Sequence, residues 1–258
     1  MLAIAIGAMS VLVLMPRDRV PMRGTVTSVT SPPPAHRTGA RRRTLLGHSV
    51  RGRPIYVTEV GDRSSPRRLL VVGCIHGDEA AGIAIASAVE RAAPRSEDVW
   101  VVDDLNPDGL ARRTRQNAHG VDLNRNFPAG WRALGVPGDQ QYPGPAPLSE
   151  PEARIARSLV ARLRPSVSVW FHQPLGVVDQ SGGDLDLELH FARLLGLPLR
   201  RLPRYPGSAV GWENRAAPRG TAFVVELPAG HLPRSQALRY ARALTDGRVF
   251  RARSEGHR

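Results

Sequence analysis

A chain of 258 residues with 41% hydrophobic content can bury one substantial core, so a single domain with an appendage is the default. The net charge of +13 invites a nucleic-acid reading, yet all 36 basic residues are arginine, and residues 1–43 carry +6 of the excess. One cysteine, Cys74, excludes a disulfide within the chain and, with it, a multi-cysteine zinc site. What remains is a moderately basic globular protein with no expected nucleic-acid partner, suited to acidic substrates or an anionic envelope surface.

Residues 1–15 are uncharged and apolar, short of the roughly 20 residues of a membrane span but suited to the hydrophobic part of a signal peptide. No basic stretch precedes them and no A-x-A site follows. Export or membrane anchoring is expected, with a cytoplasmic location the alternative if the start is misassigned. Residues 16–43, rich in proline and arginine, read as a linker, and residues 248–258 as a basic tail. The folded domain is expected over residues 44–247.

That domain opens with two strands around a glycine-containing turn, between Leu45 and Val57. A buried strand follows from Leu69 to Ile75, with Cys74 as a small buried hydrophobe, then a small-residue helix from about Ala80 to Arg91 and a strand over Val99–Val102. This β-α-β unit implies parallel strands. Residues 106–148 show little regular pattern, and irregular segments of that length usually carry function. Ser149-Glu150-Pro151-Glu152 reads as a capping box before a helix striped by Ile155, Leu159, Val160 and Leu163. A strand ending at His172, a helix over Leu187–Leu195, a strand over Ala222–Val225 ending at Glu226, and a closing helix from Ser235 to Leu244 complete the reading. The expected fold is α/β: a mixed, mostly parallel central sheet flanked by helices.

Three buried strands thus end in residues with metal or acid–base chemistry: His76 with Glu79, His172, and Glu226. Parallel strands gather such ends on one edge. Two imidazoles and a carboxylate make a catalytic zinc set with a position left for water, and Glu226 could take that water's proton. Each also has a plainer role open to it: backbone-satisfied histidine for His172, arginine partner for Glu226, helix cap or surface acid for Glu79. The long loop adds arginines and asparagines around Asn124-Arg125-Asn126, the donors that recognise a carboxylate. Arg112 and Arg113 read as solvated charges, and His119 as a solvent-facing loop histidine.

These pieces resemble a known pattern. The stretches 47–55, His76-Gly77-Asp78-Glu79, Asn106-Pro107-Asp108-Gly109, 120–128, His172-Gln173-Pro174 and Glu226-Leu227-Pro228 occur in the order found in zinc metallocarboxypeptidases, most like the murein peptide amidase branch. The resemblance implies one zinc held by His76, Glu79 and His172, with Glu226 as general base. It implies a substrate carboxylate held by Asn124 and Arg125, and Asp122 orienting His76. Arg115 is the implied oxyanion arginine, with Arg112 the alternative, and Tyr205 answers to the family's loop tyrosine without a firm alignment. The side-chain pocket is expected along residues 208–212, with Glu213 the adjacent charge. The implied substrate is a peptide with a free carboxylate, cleaved at the adjoining amide bond, possible cell-wall peptides included. An N-acyl amino acid deacylase of the desuccinylase or aspartoacylase type, and a non-catalytic envelope-binding protein, are the competing readings. Membrane or cell-wall association would come through the N-terminal segment.

Overall fold

The computed structural model describes residues 38–92, 94, 96–247 and 250; the apolar segment, most of the linker and most of the basic tail lie outside them. Among the described residues no helix is long and apolar enough to cross a membrane.

Strands β1 (Thr38–His48) and β2 (Pro54–Asp62) form the expected antiparallel pair. β1 begins at Thr38, so residues 38–43, expected as linker, are strand. Their arginines mask this: Arg42 pairs with Glu59 at 2.8 Å and Arg43 lies over the Tyr56 ring, which suits a charged edge strand without apolar alternation. β3 (Arg68–Val72), α1 (Ala81–Arg91) and β4 (Asp98–Val102) make the β-α-β unit, with β3 and β4 parallel. β3 stops at Val72, short of the expected Ile75. Cys74 and Ile75 are apolar because the turn itself is buried, not because it is strand.

The long loop is less irregular than expected. It contains α2 (Pro107–Arg112) and a single 3-10 turn at Leu123–Arg125. α3 (Pro151–Leu163) buries Leu159, Val160 and Leu163 as its stripe requires. The capping box does not form: Glu150 is the N-cap residue without a side-chain cap bond, and Glu150 and Glu152 instead receive the Asn117 amide. β5 (Val167–His172) is followed by β6 (Leu175–Asp179), α4 (Leu185–Leu195), β7 (Leu199–Arg200) and α5 (Ala209–Ala216). β8 (Thr221–Pro228) and α6 (Arg234–Thr245) close the fold. β6, β7 and α5 escaped the sequence reading because each is short, and Gly176, Gly211 and Asn214 weaken local propensity.

The eight strands run in the order β1-β2-β4-β3-β5-β8-β6-β7. β4, β3, β5 and β8 form a parallel centre, with antiparallel joints to β2 and β6. Alternation along β3 feeds both faces. Leu69 and Val71 pack with α1, α4 and α6, while Leu70 and Val72 pack with α3, α5 and Phe127. From β3 the chain moves outward to β4 and then returns to β5 on the other side. The carboxyl ends of β3 and β5 therefore flank a topological switch point, where open α/β sheets form crevices.

Candidate metal centre and substrate cleft

His172 is the last residue of β5, and parallel register sets it beside Glu226, which lies inside β8 rather than at its end. His76 and Glu79 come from the turn between β3 and α1. That turn is pressed against α2 so closely that a Cβ on Gly77 would fall 1.9 Å from the Gly109 carbonyl carbon. Since Ala80 has no capping side chain, the first free amide of α1, that of Ala81, donates to Gln173 Oε1 at 3.0 Å. The residue after His172 thus ties the two ligand-bearing turns together.

The cluster is tight. His76 Nδ1 lies 3.0 Å from Glu79 Oε1 and 3.1 Å from His172 Nδ1, which is 2.9 Å from Glu79 Oε2. One ligand atom from each residue falls within 4.8 Å of the others. Asp122 Oδ1, 3.0 Å from His76 Nε2, accepts a hydrogen bond from that nitrogen and so leaves the Nδ1 lone pair facing Glu79 and His172. Converging lone pairs repel unless a cation sits among them, so the donor set fits a divalent metal.

Electrostatics agree. Burial by itself would raise both carboxyls, but the His172 and His76 imidazoles that face it hold Glu79 far below the usual carboxylate range. The His76 and Arg115 interactions do the same for Asp122. Burial would likewise lower His76, yet the Asp122 charge and hydrogen bond outweigh it and raise the imidazole. Glu226 goes the other way. Burial raises its carboxyl and the Glu79 charge adds to the effect, while Oε2 is buried without a partner.

Of the two candidate arginines, Arg115 reaches the cluster, donating to Asp122 Oδ2 at 3.0 Å and Glu79 Oε1 at 2.8 Å; Arg112 is exposed and does not line the cleft. A cleft of about 410 Å³ opens beside the cluster, lined by His76, Glu79, Arg115, His172 and Glu226 and by Asn124, Arg125 and Tyr205. Asn124 spends its carbonyl on the Ala209 amide, which leaves its amino group available. Arg125 is 6% exposed, its Nε has no partner, and its guanidinium packs 4.3 Å from the Tyr205 ring centre. No ion pair to Arg125 forms among the described residues, and burial pulls its pKa down. Gly207 makes this packing possible: at φ +75°, a Cβ there would fall 1.9 Å from the Arg125 carbonyl oxygen.

Other motif residues are struts. Asn106 caps α2 through Gly109 and reaches the carbonyls of Ile75 and Arg115. Asp108 clamps the β1–β2 turn through Arg51 and Arg53. Asn126 faces away from the cleft and bonds Pro143, Ala146 and Ser149. His119 has an exposed ring, as expected, but holds buried Glu150 at 2.7 Å. Cys74 is fully buried, its thiol set against the His76 carbonyl and its pKa pushed well up by burial. Ser208 and Gly211 line the cleft, whereas Trp212 stacks on Phe127. Glu213 turns into the core to accept from Ser168 and Trp170, and burial pushes its carboxyl up to about 7. The sequence reading missed Asp179, Ser181 and Arg204, all in the cleft wall: β6, which carries Asp179, was not recognised, and Ser181 and Arg204 lie in loops without a local pattern.

An α/β sheet carrying two histidines and a carboxylate at its switch point, beside a buried arginine without an ion-pair partner among the described residues, has the donor set of a metallohydrolase. A family model described as zinc carboxypeptidase matches residues 39–175, and the chain belongs to that family, whose members carry one catalytic zinc. Murein peptide amidase A of Vibrio campbellii is 35% identical over 202 residues, covering 72% of this chain and 79% of that one. Its namesake in Escherichia coli K12 is 33% identical over 180 residues, covering 64% and 74%. Among solved structures, murein-tripeptide amidase from Escherichia coli O157 superposes with a TM-score of 0.65 at 29% identity, covering 85% and 97%. Carboxypeptidase A from Helicoverpa armigera, at 17% identity and a TM-score of 0.70 with 84% and 69% covered, shares the fold.

Proposed function

We propose that this zinc peptidase hydrolyses the amide bond next to a free carboxylate in cell-wall (murein) peptides. The observation that carries the reading is Arg125, a buried guanidinium without an anion, in the same cleft as the His76, Glu79 and His172 cluster. Arg125 and the free amino group of Asn124 anchor the substrate's terminal carboxylate, fixing the amide bond against the cluster. His76, Glu79 and His172 are the zinc ligands, and Asp122 holds His76 in the ligating tautomer. When bound there, zinc supplies Lewis acidity that polarises the amide carbonyl and makes water acidic enough to attack near neutral pH. Glu226, its Oε2 unpartnered and its pKa raised, accepts the attacking water's proton and returns it to the leaving amine. Arg115, its guanidinium held by Asp122 and Glu79 at the cleft wall, is the cation assigned to stabilise the oxygen on which negative charge develops.

The wall-peptide assignment draws support from the relatives named murein peptide amidase, and an envelope location from the apolar run at residues 1–15. Fractionation of cells expressing the full chain tests the latter: recovery only in the cytoplasm would remove the envelope assignment. For the reaction, zinc-loaded protein is offered a wall tripeptide and an N-acyl amino acid. Cleavage of the tripeptide is expected, and Glu226→Gln should lower kcat by about 10²- to 10⁴-fold with zinc retained. Preference for the N-acyl amino acid would make the protein a deacylase. Binding to acidic wall polymers that survives His76→Ala, without hydrolysis of any peptide, would make it a non-catalytic binder.

A further inference from the structure

The cleft holds one charged pair that the reaction does not use. Register opposite β8 places Val177 beside Glu226 and Val178 beside Val225, so Asp179 continues the cleft face one alternation beyond Glu226. Asp179 is 4% exposed. Its Oδ1 accepts the Leu202 amide at 2.9 Å, and its Oδ2 accepts Ser181 Oγ and Arg204 NH1, each at 2.7 Å. Arg204 also donates NH2 to the Gln180 carbonyl. Two protein acceptors thus hold the guanidinium in the wall, and its remaining donors have no acceptor among the described residues. The side chain stays 46% exposed and lines the cleft. Its chain neighbour Tyr205 packs on Arg125, so the loop that carries Arg204 also covers the arginine assigned to the terminal carboxylate, and both arginines line one cleft.

We propose that Arg204 is a specificity residue that binds a second carboxylate, carried by the side chain of the substrate's carboxyl-terminal residue, with Asp179 as the positioning residue that presents it. A neutral side chain would leave these donors desolvated without acceptors, and a cationic one would meet like charge. An acidic side chain satisfies them by charge-assisted hydrogen bonds. The inference rests on the hydrolase reading for the placement of the terminal carboxylate and adds the class of residue beside it.

The test compares zinc-loaded parent, Arg204→Leu and Arg204→Lys on acylated dipeptides ending in glutamate, glutamine or lysine. Calorimetry measures binding of the same dipeptides to Glu226→Gln protein with and without Arg204→Leu. The parent should favour glutamate over glutamine. Arg204→Leu should reduce that ratio of kcat/KM about tenfold or more, chiefly through KM, with Arg204→Lys restoring part of it. A parent without preference for glutamate in cleavage or binding overturns the proposal. So does a ratio unchanged in Arg204→Leu while thermal stability falls, since Arg204 would then be a loop clamp only. Glutamate-selective binding that depends on Arg204, with no cleavage of any peptide, upholds the proposal and overturns the hydrolase reading.

Discussion

The two halves of the cleft are built on opposite plans. On the metal side, the ligating atoms of His76, Glu79 and His172 lie against one another, and Asp122, Arg115 and Gln173 hold them from behind. On the substrate side, Arg125 Nε and Glu226 Oε2 are buried without partners, and Tyr205 and Arg204 stand half open. The first plan suits a resident ion, which must find its ligands already oriented. The second suits a visitor that supplies the missing partners only while it is bound.

Three substitutions break or sharpen that contrast. The largest effect is expected on the metal side from Asp122→Asn, which removes the charge that sets the His76 tautomer and pairs with Arg115. Zinc affinity, measured by competition with a chelator, should weaken by up to about 100-fold, with activity falling alongside. Unchanged affinity would mean that the cluster orients itself without help.

On the substrate side, Arg125→Leu should leave zinc binding intact and raise KM about tenfold or more on peptides with a free terminal carboxylate. The effect should shrink when that carboxylate is amidated. An equal loss on both substrates would make Arg125 a packing residue beneath Tyr205.

The smallest effect on catalysis is expected from the strut beneath the substrate side. Glu213 is fully buried, with its carboxyl raised to about 7 from an ordinary 4.5. The folded state therefore binds more protons than the unfolded state between these values, so this group's contribution is full below pH 4.5 and is lost as pH rises through 7. Glu213→Gln should remove that component, worth up to about 3 kcal/mol, and flatten the decline of Tm across this window by up to roughly 6–12 °C. A decline as steep in the variant would show that Glu213 stays ionised and is satisfied by Ser168 and Trp170.

Much of the metal side was readable in the sequence because it hangs on strands whose apolar runs end abruptly. Leu69 to Val72 before His76, and Val167 to Phe171 before His172, are local signals. The substrate side was less legible. Asn124 and Asn126 look alike in sequence, yet one opens its amino group to the cleft and the other braces residues 143–149. Ser149-Glu150-Pro151-Glu152 has the pattern of a helix cap, but Asn117 and the Val50 amide claim its carboxylates from far along the chain. β6 carries Asp179 into the cleft wall on only five residues, and partners supplied by β8 and β7 make it a strand.

By itself the sequence determined the α/β class, the order of the principal elements and the identities of the two histidines and two glutamates that gather at the switch point. Those follow from the period of apolar residues and from where it breaks, which are properties of neighbours in the chain. Only the tertiary structure decided that Arg115 rather than Arg112 reaches the cluster, that Arg125 lies under Tyr205 with its Nε unpartnered, and that Asp179 holds Arg204 in the cleft wall. A charged side chain takes its role from the partners that desolvate or satisfy it, and for Arg115 and Arg204 those partners lie 7, 36 and 25 positions away.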